Sequence, residues 1–345
     1  MPELPRFECA TIPPAAKARL RILFLAKHAC GDGRPDATDG NHAVYHHELR
    51  TTLERIGLHV IPRDDYAAIL DRPDADFAIP LLNRAGFQNS EMLAPLLFAR
   101  HGLPCLGASA IVRGLADDKH LAKVAARAQG VPTMDWQVYR RGTGAILPPP
   151  FRAERLVVKP NASSASWGVR IVSAWAEARD HVEALQQAGH DVIVERYAPL
   201  LDIAVPVIGG AAAEPWLLPP MAYLPDALGG PRSYEEKRSL VASGPDPLVP
   251  VEDPALVARL EQHARALVRE LWPFDYGRIE FRFDPATGAL HFMEVNLSCN
   301  LWSQKTISRS AASLGIDHAS LVESIVAHSM GRQGLLDAGV ARLAA

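Results

Sequence analysis

The chain has 345 residues, 48 % hydrophobic and 22 % charged, which is the balance of a globular enzyme with room for two or three hydrophobic cores. A formal net charge of −3 gives no electrostatic case for nucleic acid or an anionic membrane, and no apolar run is long enough to span a bilayer. Four cysteines (Cys9, Cys30, Cys105, Cys299) lie far apart with no CxxC pair, so they read as reduced thiols of a cytoplasmic protein, not as a disulfide framework or a zinc site.

The opening MPELPRFECATIPP is proline-rich and acidic where a signal peptide would be basic and then apolar. RILFLA (21–26) predicts a buried strand, and 41–56 a helix stopped by Gly57. Strands follow at 58–62 and 77–82, then a helix at 91–100 and a short strand in HGLPCLG. This alternation predicts an α/β unit with a parallel sheet, ending near residue 113. A helix at 117–129, stopped by Gly130, opens the next unit. WQVYR and RLVVKP are strands on either side of the turn RGTGAILPPP; the small-residue loop NASSASWG, the strand VRIVSA and a helix at 175–188 come next. DVIVERY, IAVPVIGG and WLLPPMAYL are further strands. Residues 226–248 are rich in Gly, Pro and Ser and read as a long mobile loop. A helix at 254–271 precedes two strands, YGRIEFRF and ALHFMEVNL, around the turn DPATG, and a last helix covers 319–330. No internal repeat is present.

The hairpin carries the most chemistry. Side chains alternate along a strand, so Arg278 and Glu280 share one face, as do Glu294 and Asn296 on the partner strand. Two carboxylates and an amide oxygen can converge there as hard ligands for Mg²⁺, and like charges placed together call for a cation. The competing reading is a solvated polar face on an edge hairpin. Lys159 ends an apolar strand just before a Ser/Gly loop, which suits phosphate, although a lone strand-end lysine is more often a surface residue. Neither GxxxxGK[ST] nor a GxGxxG after the first strand occurs.

Five segments together resemble the D-alanine–D-alanine ligase branch of the ATP-grasp superfamily: GLPCLGASAIVRGLADDKHLAKVAARAQGVP, VVKPNASSASWGVRIV, IVERYAPLLDIAVPVIGG, SYEEKRSL and YGRIEFRFD…LHFMEVN. The resemblance runs from about residue 21 to 330 and is strongest from 103 onward. It implies a three-domain ATP-grasp fold: a Rossmann-like parallel-sheet domain (1–113), a small central α+β domain (114–194), a C-terminal α+β domain with a mainly antiparallel sheet (195–335), and a tail (336–345). It also implies ATP and Mg²⁺ (or Mn²⁺) as cofactors. Lys119 and Lys159 would meet the α- and β-phosphates, with Ser166 and Gly168 in the loop above them. Glu195 would accept from the adenine amino group, the Arg196–Tyr197 backbone would meet the adenine edge, and Asp202 would hold the ribose. Lys237, on the mobile loop, would reach the γ-phosphate. Glu280, Glu294 and Asn296 would hold the metal, and Arg278 would stabilise the transferring phosphoryl group. Asp202 and Glu280 stand where the family has glutamate and aspartate. The implied activity is ADP-forming carboxylate–amine ligation through an acylphosphate, on small-molecule carboxylate and amine substrates. An ATP-grasp phosphotransferase or carboxylase, or a non-catalytic nucleotide-binding protein, is the alternative. Family habit suggests a homodimer.

The dipeptide-binding motifs depart from that pattern. KHACGDGRPDATDGNHAVYHHELR replaces the glycine-rich stretch with its glutamate, and 82–86 replaces the His-Gly segment. The loop serine is Ala165, the tyrosine after the mobile-loop lysine is Arg238, and LSCNLWSQK follows Asn296. The acceptor is therefore expected to be other than D-Ala plus D-Ala. Arg84, Asn300, Trp302 and Lys305 become candidate substrate contacts, against a reading of Trp302 as core and Lys305 as a surface charge. Cys299 reads as a buried filler, His42 and His46 as surface histidines, and His28 as a strand-end residue whose loop can face the substrate.

Overall fold

The computed structural model describes residues 7–82, 90–163, 166–197, 200–209, 215–224, 248–297 and 299–336. Its chain order begins with α1 (Pro14–Arg19), β1 (Arg21–Leu25), α2 (His42–Arg55), β2 (His59–Arg63), β3 (Phe77–Pro80) and α3 (Leu93–His101). β1 pairs in parallel with β2 on one side and β3 on the other. Its apolar run is continuous because both faces are covered. Ile22 and Phe24 enter one core with Leu49 and Leu53, while Leu23 and Leu25 enter another with Phe98 and Leu103. The short strand expected in HGLPCLG is a single parallel bridge between Cys105 and Ala78.

The central sheet is built from β4 (Trp136–Tyr139), β5 (Leu156–Pro160), β6 (Arg170–Val172) and β7 (Val192–Arg196), in the antiparallel order β4-β7-β5-β6. Helix α6 (Trp175–Gln187) covers it through Ala178, Val182 and Leu185. The helix expected at 117–129 is α5 (Lys119–Ala128), and a separate helix that was not expected, α4 (Ala110–Asp117), precedes it. Asp118 between them is extended, and its carboxylate accepts from the Leu121 N–H at 2.9 Å. An N-cap inside ADDKH therefore ends α4 and starts α5.

The third sheet contains β8 (Leu201–Ile208), β9 (Trp216–Leu217), β10 (Met221–Tyr223), β11 (Leu248–Pro250), β12 (Tyr276–Phe283) and β13 (Leu290–Asn296). It runs β11-β10-β8-β12-β13 with β9 on β8, all antiparallel. Helix α7 (Pro254–Leu271) packs Leu256, Leu260, Leu267 and Leu271 against its inner face. The loop expected at 226–248 lies outside the described residues except for Leu248, which opens β11. Three helices escape the sequence reading: α1, α4, and α8 (Thr306–Ser313), whose sequence TISRSAAS is too polar and small to show a stripe.

The last helix, α9 (His318–Arg332), sends Leu321, Val322, Ile325 and Met330 into the core that also holds Ile22 and Phe24. Asp275 ties it to the third sheet: this buried carboxylate accepts from Arg332 Nε at 2.9 Å, Ser329 Oγ at 2.6 Å and the Gly107 N–H at 2.7 Å. Residues 113 and 194, the expected division points, fall inside α4 and β7.

Candidate functional site

Three neighbouring strands set the site. Across β8, β12 and β13 the register aligns Pro206–Arg278–Asn296, Ala204–Glu280–Glu294 and, on the first two strands, Asp202–Arg282. The intervening Ile279 and Phe281 point into the α7 core. On β13 simple alternation fails: Phe292 and Val295 are both buried in that core, yet they are three residues apart. A bulge resolves this. Glu280 pairs with Glu294 while Phe281 pairs with Phe292, so Met293 is an extra residue. The bulge switches which parity faces the core and keeps Glu294 and Asn296 on the polar face.

On that face Arg278 Nε donates to Glu280 Oε1 at 2.6 Å, and Asn296 Nδ2 donates to Glu280 Oε1 at 2.9 Å and Glu294 Oε1 at 3.3 Å. Burial works against the Arg278 charge, but the adjacent Glu280 outweighs it and raises the guanidinium pKa. The carboxylates are recessed, 13 % and 24 % exposed for Glu280 and Glu294. Two like charges directly opposite are repulsive unless cations lie beside them. The donor set fits Mg²⁺, which takes a few protein oxygens and leaves other positions to phosphate and water. Turning the Asn296 amide over would offer its Oδ1 as well. Among the described residues no group of three or more His, Cys, Asp or Glu side chains is arranged to hold a metal, so the set stays at two carboxylates and one amide.

Helix α5 brings the next charge. Lys119 at its start lies 3.6 Å from Glu294 Oε2, and its Nζ donates to the Ser163 carbonyl at 2.7 Å. Asn161, 2 % exposed at the end of β5, fixes this geometry. Its carbonyl accepts the Lys119 N–H at 3.0 Å and its Oδ1 the His120 N–H at 2.9 Å, which occupies two N–H groups of the helix's first turn. A cleft lined by Lys119, Ser163, Asp117, Arg113, Glu294 and Asn296 opens here. Ser166 adopts φ 61° and Gly168 φ 70°. A Cβ on Gly168 would meet Pro160 at 3.0 Å, so the loop folds back tightly on β5. Residues 164 and 165 lie outside the described set.

Lys159, Glu195 and Lys123 form a buried group behind the loop, 7 %, 6 % and 1 % exposed. Lys159 Nζ donates to Glu195 Oε2 at 3.0 Å, and Lys123 Nζ lies 3.3 Å from Oε1, outside hydrogen-bond alignment. Burial alone would raise the Glu195 pKa, but Lys123 and then Lys159 bring it down to about 2. Lys123 was missed from the sequence. Its signal is the KHLAK spacing, which sets it one turn after Lys119 on the same helix face. The expected adenine-edge contact is corrected in part: the Arg196 and Tyr197 N–H groups donate to the Asp135 and Arg155 carbonyls, so they are committed to the sheet. The Arg196 side chain is exposed and pairs with Asp135 at 3.2 Å. Asp202 lies 3.0 Å from Arg282 Nε, its cross-strand partner on β12.

Beyond β13, Trp302 is 8 % exposed and packed in the core that also holds Leu49. Its Nε1 donates to Glu48 Oε2 at 2.8 Å, and the Ser303 N–H donates to Glu48 Oε1 at 3.0 Å. Asn300 Oδ1 accepts the Trp302 N–H at 2.6 Å and shapes the turn. Lys305 is the N-cap residue of α8, its ammonium 5.9 Å from the Trp302 ring centre. Packing thus occupies Trp302, while Lys305 remains partly exposed. Cys299 is buried with its thiol pushed up to about 12 by desolvation, as suits a filler. His46 is not a surface residue: it is 3 % exposed and its Nδ1 accepts the His28 N–H at 3.3 Å. Lys237 and Arg84 lie outside the described residues.

Among known proteins, a D-alanine–D-alanine ligase of Oleidesulfovibrio alaskensis is 26 % identical over 320 residues, 91 % of this chain and 98 % of that protein. A Bacillus anthracis D-alanine–D-alanine ligase solved with ATP superposes with a TM-score of 0.69 at 20 % identity, covering 92 % of this chain and 99 % of its own. The VanG D-Ala:D-Ser ligase of Enterococcus faecalis superposes at 0.68 with 14 % identity, covering 90 % and 99 %. The model of the D-ala D-ala ligase C-terminus family matches residues 127–327, from helix α5 through strands β12 and β13 to helix α9 and more than half of the chain, and the protein belongs to that family.

Proposed function

We propose that this protein is an ATP-dependent carboxylate–amine ligase that works through an acylphosphate and takes an acceptor other than D-Ala plus D-Ala. The observation that carries the reading is the opposed Glu280–Glu294 pair, with Arg278 at 2.6 Å and Lys119 at 3.6 Å. Such a cluster of recessed carboxylates and cations suits a magnesium-bound polyphosphate. Glu280, Glu294 and Asn296 would hold the Mg²⁺, which when bound offsets charge on the transferring phosphoryl group. Lys119 and Lys159 bind the phosphates, and Ser166 and Gly168 lie in the loop beside them. Glu195 and Asp202 recognise the nucleoside, and Lys237 completes the phosphate set.

A carboxylate is a poor electrophile until its oxygen becomes a leaving group. Phosphoryl transfer supplies that group; the amine then attacks and phosphate departs. Both steps build charge on oxygen, which the Arg278 guanidinium is placed to stabilise. The acceptor side differs from the dipeptide pattern in sequence. There Trp302, locked by Glu48, holds Asn300 and Lys305 in place, Lys305 offers an ammonium to a substrate carboxylate, and Arg84 is the remaining candidate. The test is phosphate release from MgATP across a panel of amino acids and amines. Release that depends on a carboxylate and an amine together, with an amide product and no turnover on D-Ala alone, is expected. Turnover on D-Ala alone to the dipeptide would refute the different acceptor.

A further inference from the structure

We infer that Lys123 is the permanent counter-ion of Glu195, so that Lys159 can leave that carboxylate for the nucleotide's phosphate. The inference rests on the ATP-binding reading above and assigns a positioning residue to it. Glu195 is 6 % exposed and has two lysines on it, one more than neutrality requires. The two lysines are not equivalent. Lys159 is the last residue but one of β5, next to the loop that begins at Asn161 and includes Ser166 and Gly168, and it holds Glu195 Oε2 in a hydrogen bond of 3.0 Å. Lys123 lies in the middle of α5, 1 % exposed, with Trp136 beside its ammonium at 5.7 Å. A side chain enclosed in this way has nowhere else to place its charge.

Glu195 Oε1 makes no hydrogen bond in the described structure, although Lys123 Nζ is 3.3 Å away. That oxygen keeps acceptor capacity for an amino group while its charge is already balanced. A buried carboxylate stripped of every partner is strongly unfavourable. Without Lys123, Lys159 would be Glu195's last counter-ion and could serve a phosphate only by abandoning it. With Lys123 in place, the move leaves a neutral buried pair behind.

The experiment is calorimetric titration of the full chain with MgATP, on wild type, Lys123→Met, Glu195→Gln and the double variant, with a thermal melt of each. Methionine keeps the length and helix propensity of lysine without its charge. Lys123→Met is expected to weaken ATP binding about 100-fold, from the usual cost of breaking a buried pair. Adding Glu195→Gln removes the competing charge, so the double variant should bind ATP at least about tenfold more tightly than Lys123→Met. A merely structural lysine predicts the opposite, a double variant no better than the single one. ATP affinity of Lys123→Met within twofold of wild type, or absence of rescue, overturns the inference and leaves the ATP reading standing. A wild-type chain that does not bind MgATP overturns both.

Discussion

Replacing Arg278 by methionine separates its pairing with Glu280 from the catalytic role proposed for it. The guanidinium is 21 % exposed and contacts Glu280 Oε1 at 2.6 Å, while Glu280 faces Glu294 across the strand pair. Removing the cation leaves two opposed carboxylates, with Lys119 3.6 Å from Glu294 on its side. The usual cost of leaving one member of a buried pair is about 3–5 kcal/mol, and the exposure of this pair places Arg278→Met at ~3 kcal/mol. Losing a preorganised donor to transition-state charge costs on the order of 10²–10³ in turnover. The two losses respond differently to a second change. Adding Glu280→Gln removes the repulsion and should restore most of the melting temperature, but not the rate. Arg278→Lys keeps the charge without the planar fork and should fall between. The assay is amine-dependent phosphate release at saturating MgATP, beside thermal unfolding without nucleotide. Turnover of Arg278→Met within about threefold of wild type would refute the reasoning, since no analogue of the lost donor would do so little.

Further predictions concern groups that hold the site. Glu195, at about 2 in the fold against an ordinary value of 4.5, contributes stability that is fully present above pH 4.5 and lost as pH falls toward 2. Glu195→Gln should flatten that acid limb, which amounts to about 3 kcal/mol in all at 1.36 kcal/mol per pH unit and about 2 kcal/mol between pH 6 and 3, the part that urea unfolding at those two pH values measures. An unchanged limb would mean the carboxylate is not paired as described. Arg332→Met strands the Asp275 carboxylate, 1 % exposed, and should cost about 3–5 kcal/mol in urea unfolding, with Asp275→Asn in the same chain recovering part of it. Glu48→Ala leaves Trp302 Nε1 and the Ser303 N–H without their acceptor and should destabilise by about 2 kcal/mol while raising the KM for the acceptor more than that for ATP. Equal change in both KM values would place the Trp302 segment away from the acceptor.

Much of the frame was legible because it rests on local periodicity. Strand β12 and helix α7 have the limits their patterns predict, since YGRIEFRF alternates and 254–271 carries a helical stripe between Asp253 and Trp272. Helix α4 was not read, because AIVRGLAD is short and carries a glycine in its interior. Nor was the docking of α9 on the first sheet, a contact between residues some 300 positions apart. In the site, the shared face of Arg278 and Glu280 followed from pleat geometry alone. The bulge at Met293 did leave a trace, an apolar Phe-Met doublet where alternation changes phase. Burial of Lys123 leaves no mark on the sequence beyond its spacing from Lys119, because what buries it, Glu195 and Trp136, comes from other strands.

The central claim is that the γ-phosphoryl group of ATP is passed to a carboxylate at the Glu280–Glu294 face. The most direct measurement uses the carboxylate substrate found in the panel, labelled with ¹⁸O in its carboxyl group, and mass analysis of the phosphate released. Transfer through an acylphosphate predicts one ¹⁸O atom in each phosphate formed. Phosphate without label, formed at the same rate as the amide, would contradict it.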